Sequence, residues 1–220
     1  MAMIELTADD GHRLECWIEP AQGARTGGIV ILQEIFGITD QLKRVAARYA
    51  GLGYEVAIPA LFDRQGKGQV VDFDDIDRAR ALMQGCEPDL VIKDIAATVD
   101  HLAAHGKVAL FGFCWGGGQV VRAAQRLDIA GGVAFYGTRI GDMLDRPLKA
   151  PVQGHFGAND PLTPPDMLAE AQGYFGADFE MFSYEAGHAF GNDERPSYVP
   201  EAADLAHQRA EAFFAKVLGR

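Results

Sequence analysis

The sequence predicts an α/β fold built on a mostly parallel sheet, because short apolar runs alternate with amphipathic stretches from end to end. The runs are apolar at successive positions, as strands buried on both faces require, and the intervening stretches are long enough for crossover helices. Of the 220 residues, 48% are hydrophobic, 10% aromatic and 23% charged, which supplies a core and lacks the bias of disordered chains. One domain spanning 1–220 is expected, with helices on both faces of the sheet.

Met3 to Leu6 and Arg13 to Glu19 flank the turn signal Asp9-Asp10-Gly11-His12, which predicts an antiparallel hairpin at the sheet edge. Gly28 to Leu32, Tyr54 to Ile58, Lys107 to Phe111, Gly132 to Tyr136, Val152 to Phe156 and Asp178 to Tyr184 read as inner strands. Gln41 to Leu52, Pro88 to His105, Gly116 to Leu127, Pro165 to Phe175 and Glu201 to Leu218 read as helices, with Asp40 as a cap and Pro165 in a first turn. Phe62 to Phe73, rich in Gly, Asp and Gln, is expected to be a mobile loop.

Charge narrows the function classes. Twenty basic against 31 acidic residues give a formal charge of -11, which repels phosphate backbones and anionic membranes, so neither is an expected partner. Cys16, Cys86 and Cys114 form no C-x-x-C pair or disulfide framework, in keeping with a reducing cytoplasm. No apolar run approaches the roughly 20 residues that span a bilayer, and Met1-Ala2-Met3-Ile4-Glu5 lacks a basic leader. A soluble, unexported monomer or small homo-oligomer is expected.

The chemistry concentrates at Gly112-Phe113-Cys114-Trp115-Gly116. This G-x-C-x-G run joins a predicted strand to a predicted helix, the context of the nucleophile elbow of α/β-hydrolases. Its glycines make room where strand turns sharply into helix, and the helix N-terminus favours negative charge at Cys114. In that fold an acid and a histidine follow in order, each just past a later strand. Asp160, in Gly157-Ala158-Asn159-Asp160-Pro161, and His188, in Glu185-Ala186-Gly187-His188, satisfy both conditions. The histidine exchanges the proton and the carboxylate fixes its tautomer. His155 lies inside a strand, His207 inside the last helix and Asp166 at a helix start, which makes them weaker candidates. His101 and His105 share one predicted helix but have no third ligand nearby, so no metal is expected, and no organic cofactor is indicated.

Acyl transfer also needs two amides aimed at the developing oxyanion. Trp115 supplies the one after the nucleophile, and Ile35, in Gln33-Glu34-Ile35-Phe36-Gly37, is the candidate for the other. Glu34 is unusual there, since a carboxylate opposes a nearby thiolate unless it is protonated or turned away.

Taken together, Gln33-Glu34-Ile35-Phe36-Gly37, Gly112-Phe113-Cys114-Trp115-Gly116-Gly117-Gly118, Gly157-Ala158-Asn159-Asp160 and Gly187-His188-Ala189-Phe190 resemble the dienelactone hydrolases. The resemblance covers essentially the whole chain. It implies carboxymethylenebutenolidase-like hydrolysis of small esters or lactones by a Cys114–His188–Asp160 triad through an acyl-enzyme. It also implies a gate at Glu34 and an oxyanion hole from Ile35 and Trp115. The substrate site departs from the family pattern, which holds a substrate carboxylate with two arginines. Asn192 stands at one of those positions, and neither Arg78 nor Arg80 aligns clearly with the other. Phe36, Arg80, Asn192 and Arg195 are the substrate-site candidates. Two rival functions are a thiol redox sensor using Cys114 and a catalytically silent hydrolase scaffold.

Overall fold

A computed structural model describes residues 1–219, and the chain divides into two compact units, Met1–Val108 and a second from Ala109 onward. In the first unit, β1 (Ala2–Thr7) and β2 (Arg13–Glu19) form the expected antiparallel hairpin, pairing from Ala2 with Ile18 to Thr7 with Arg13. β2 runs antiparallel to β4 (Tyr54–Pro59), which runs parallel to β3 (Gly27–Leu32). β3 is buried along its whole length, as its unbroken Gly-Gly-Ile-Val-Ile-Leu run demands.

Three helices accompany these strands. α1 (Asp40–Gly51) buries Leu42, Val45, Ala46, Tyr49 and Ala50 at helical spacing and packs on β4. Its cap is Thr39, whose hydroxyl accepts from the Leu42 amide, while Asp40 is the first helical residue. The cap thus falls one residue earlier than the sequence suggested. α2 (Ile76–Gln84), capped by Asp75, has only Ala79 fully buried and so shows little periodic signal. α3 (Pro88–Ala103) presents Val91, Ile92, Ile95, Val99 and Leu102 to β3 and β4. It ends before His105, so His101 and His105 do not share a helix.

The segment read as a mobile loop is tied at several points. Asp63–Gln65 forms a 3-10 turn, the Val71 amide donates to the Phe36 carbonyl at 2.9 Å, and Gln65 Nε2 donates to the Leu82 carbonyl at 2.7 Å. Phe36, Val71 and Ala79 form a small core with Ile35 and Phe73 against it. Arg64 is held bidentately by the buried carboxylate of Asp94, at 2.7 and 2.8 Å.

From Ala109 onward the second unit holds all but the first residue of β5 (Val108–Phe113), then β6 (Gly132–Phe135), β7 (Val152–Gly157) and β8 (Phe179–Tyr184), all parallel and in that order. α4 (Trp115–Ala124) packs on β6, α5 (Pro165–Phe175) on β8 and α6 (Pro200–Leu218) on β7. Phe111, Phe113, Phe135 and Phe214 interlock in edge-on and tilted contacts 4.4 to 5.6 Å apart, and their burial supplies about 2 kcal/mol or more each. Parallel strands put the loops after β5, β7 and β8 at one end of this unit, and those loops carry Cys114, Asp160 and His188.

Candidate active site

Cys114 is the residue between β5 and α4, with φ 52° and ψ -117°, a conformation a side-chain-bearing residue adopts only under constraint. Three bonds supply the constraint. Its amide donates to the Phe135 carbonyl at 3.0 Å, and its carbonyl accepts from the amides of Thr138 at 3.1 Å and Gly118 at 3.3 Å. The turn is so tight that a Cβ on Gly112 would lie 2.2 Å from the Gly116 oxygen, and one on Gly118 would lie 2.2 Å from that of Thr138. This steric demand is why glycines stand on both sides of the cysteine. The side chain is half-buried, at the N-terminal end of α4, where the first amides have no partner within the helix.

His188 lies four residues past β8. Its Nδ1 donates to Asp160 Oδ2 at 2.7 Å, and its Nε2 lies 3.2 Å from Cys114 Sγ. Asp160 is buried, and its other oxygen accepts from the Leu162 amide at 2.8 Å. Burial opposes ionisation of Asp160, but the bonds from His188 and Leu162 prevail and hold its carboxyl below the ordinary range. Burial likewise opposes a charge on His188. The bonds and charges of Asp160 and Cys114 outweigh it and raise the imidazole to about 10. His188 is therefore an imidazolium at neutral pH, its edge against the Tyr136 ring at 5.2 Å.

Cys16 and Cys86 have no such setting. Burial drives Cys16 up to about 12 and Cys86 up to about 11. Among the described residues, no group of three or more His, Cys, Asp or Glu side chains is arranged to hold a metal ion.

The remaining candidates stand on loops and on α2. Glu34 is buried and Ile35 half-buried on the loop after β3 in the first unit, with Phe36 in the small core there. Arg80 is exposed on α2, and Arg78 donates to Gln69 Oε1 at 3.0 Å. Asn192 is buried, and its Oδ1 accepts from the Glu194 amide at 3.0 Å, closing a turn. Arg195 is half-buried on the same loop, its amide donating to the Asn192 carbonyl at 3.0 Å. Asn192 thus shapes the loop that carries Arg195. Sequence reasoning had no signal for that role.

The sequence pattern of the dienelactone hydrolase family matches residues 16–218. The chain belongs to this family. Membership makes it a hydrolase of ester or lactone bonds with the α/β-hydrolase fold. A carboxymethylenebutenolidase of Pseudomonas putida is 29% identical over 225 residues, covering 96% of this chain and 95% of its own. A protein of Methylorubrum extorquens, provisionally named carboxymethylenebutenolidase, is 36% identical over 216 residues, covering 89% of this chain and 74% of its own. A crystal structure from Klebsiella pneumoniae, provisionally named a dienelactone hydrolase, superposes with a TM-score of 0.84. It is 27% identical and covers 98% of this chain and 99% of its own. Among the described residues no helix of this dienelactone hydrolase family member is long and apolar enough to cross a membrane.

Proposed function

We propose that the chain hydrolyses small esters or lactones through an acyl-enzyme on Cys114, with His188 as proton carrier and Asp160 as its orienting partner. The observation that carries this reading is the continuous contact Sγ to Nε2 at 3.2 Å and Nδ1 to Oδ2 at 2.7 Å, with the cysteine on a constrained elbow.

The thiolate of Cys114 attacks the acyl carbon, and the carbonyl oxygen takes the negative charge of a tetrahedral intermediate. The Trp115 amide, first in α4, is the donor offered to that oxygen. As the C–O bond to the leaving group breaks, the His188 imidazolium gives its Nε2 proton to the departing alkoxide, which in a lactone stays tethered to the acyl chain. Neutral His188 then takes a proton from water, the hydroxide attacks the thioester and expels the thiolate, and the acid product leaves and gives its proton to solvent, with the thiolate and imidazolium restored. Asp160 keeps its negative charge throughout and stabilises the imidazolium at both steps. For Glu34 and Ile35, the roles that the resemblance implies, thiol gate and second amide donor, belong to the same proposal.

A panel of p-nitrophenyl esters and small lactones tests the reading. Turnover of members of that panel is expected, with no consumption of hydrogen peroxide beyond stoichiometry. Sustained peroxide consumption without ester or lactone turnover would replace the hydrolase reading with a thiol redox one.

A further inference from the structure

β7 carries two polar residues, Gln153 and His155, in a strand that is otherwise apolar and fully buried. Both point to the same face, since side chains alternate along a strand, and the register sets Gln153 beside Glu180 and His155 beside Phe182, with Tyr184 next on β8. Arg209 of α6 reaches this face, its guanidinium 4.1 Å over the Phe182 ring. None of these groups takes part in the mechanism above.

They form one continuous chain of hydrogen bonds whose direction is fixed at both ends. Arg209 Nη1 donates to the Tyr184 hydroxyl at 3.0 Å, so that oxygen is an acceptor there and its own hydrogen is free to point to His155 Nδ1, 2.7 Å away. At the other end, Gln153 Nε2 donates to Glu180 Oε2 at 2.7 Å, which turns Gln153 Oε1 toward His155 Nε2 at 3.0 Å. His155 must therefore carry its proton on Nε2 and accept at Nδ1. Its deep burial, followed by the charges of Arg209 and His207, pushes the imidazole down to about 3, so the ring stays neutral. Every polar atom named has a partner, which gives the chain one arrangement inside a wall of aromatic rings.

Tyr184 is also where the two loops of the proposed triad are joined. Its carbonyl accepts from the amides of Ala158 at 2.8 Å and Ala186 at 2.7 Å, which begin the loops leading to Asp160 and His188. The Asn159 amide donates to the Ala186 carbonyl at 3.0 Å, and Gly157 leaves space that a Cβ would fill within 2.4 Å of that oxygen. His155 contributes through its carbonyl, which accepts from the Tyr136 amide at 2.7 Å, and the Tyr136 ring abuts His188.

We propose that Tyr184 and His155 are positioning residues for hydrolysis: their side-chain bond, locked by Arg209 and Gln153, fixes the ends of β7 and β8 from which Asp160 and His188 are carried. This rests on the triad reading above. A tyrosine held only by ring packing would tolerate small slips of β8. The hydroxyl bond removes that freedom, and slips of about 1 Å are enough to cost large factors in rate.

The test compares wild type, Tyr184→Phe, and the double variant Tyr184→Phe/His155→Leu, using an ester that the wild type turns over. Tyr184→Phe keeps the ring but strands the buried Nδ1 of His155 and takes an acceptor from half-buried Arg209. It is expected to lose about tenfold in kcat with KM within about twofold. The alkaline limb of its kcat/KM profile is expected to move to lower pH, because a looser Asp160 contact supports the His188 charge less. The double variant removes the stranded Nδ1 but takes the partner from Gln153 Oε1, so kcat and the alkaline limb are expected to stay at the Tyr184→Phe values whatever its thermal midpoint. A Tyr184→Phe enzyme with wild-type kcat and pH profile, or a double variant whose kcat recovers, would overturn the positioning role. Cys114→Ala, run alongside, separates the two levels: if it keeps its activity, the triad reading fails whatever Tyr184 does.

Discussion

The Nε2 atom of His188 lies 3.2 Å from Cys114 Sγ, while its other ring nitrogen is bonded to a buried carboxylate. One imidazole thus bridges the sulfur of Cys114 and a buried carboxylate, and its bonds to both favour its charged form.

That charge has a pH signature. His188 sits at about 10 against an ordinary value of 6.5, so kcat/KM for hydrolysis is expected to fall on the alkaline side as pH rises through about 10. Stability follows the same sign. A group raised on folding stabilises fully below its unfolded value and loses that contribution above its folded one. The thermal midpoint of wild type is therefore expected to exceed that of His188→Ala by more at pH 6 than at pH 10.5. Melting curves at the two values check this, and an advantage that grows with pH would contradict it.

Alkylation distinguishes the three thiols. Cys16 and Cys86 are held protonated by burial, at about 12 and about 11. About one equivalent of iodoacetamide is expected to inactivate the enzyme, with the label on Cys114 in peptide maps. Loss of activity with the label mainly on Cys16 or Cys86 would point to a different site.

The elbow leaves no room for side chains beside Cys114. Gly112→Ala brings a methyl to 2.2 Å from the Gly116 oxygen and 2.7 Å from Val120 Cγ2. A loss of about 3 kcal/mol in unfolding free energy is expected by denaturant titration. Gly173→Ala, where a Cβ meets nothing, is expected to be neutral or slightly stabilising.

Substrate charge is the next variable. If no arginine faces the substrate, a carboxylated lactone gains little Coulombic help in a chain of formal charge -11. Its methyl ester is expected to show equal or higher kcat/KM. If Arg195 holds the acid, Arg195→Ala should raise KM for the acid alone by about 30-fold, near 2 kcal/mol. A strong preference for the acid that survives substitution of Arg78, Arg80 and Arg195 would contradict both alternatives.

What the sequence made legible was local. The elbow announces itself because a strand-to-helix turn needs glycines within two residues of Cys114, and each later strand end points to the residue that follows it. The antiparallel hairpin and the Pro165 helix start are of the same kind. What it hid was long-range. Asp40 looked like a cap because Thr39 and Asp40 both suit that position, and only the geometry of the Leu42 amide decides between them. α2 buries only Ala79 and so carries no apolar periodicity to mark it. His155 reads as a plain strand histidine, and its neighbours Tyr184 and Arg209 come from 29 and 54 positions further along, a pairing that no local pattern encodes.

The most direct test of the account is the turnover of Cys114→Ala on the best ester or lactone of the panel, with folding checked by its thermal midpoint. The substitution removes the attacking atom and little volume, so a loss of at least about a thousandfold in kcat/KM with a near-native midpoint is expected. A folded Cys114→Ala enzyme that keeps most of its activity would contradict the assignment of Cys114 as the nucleophile.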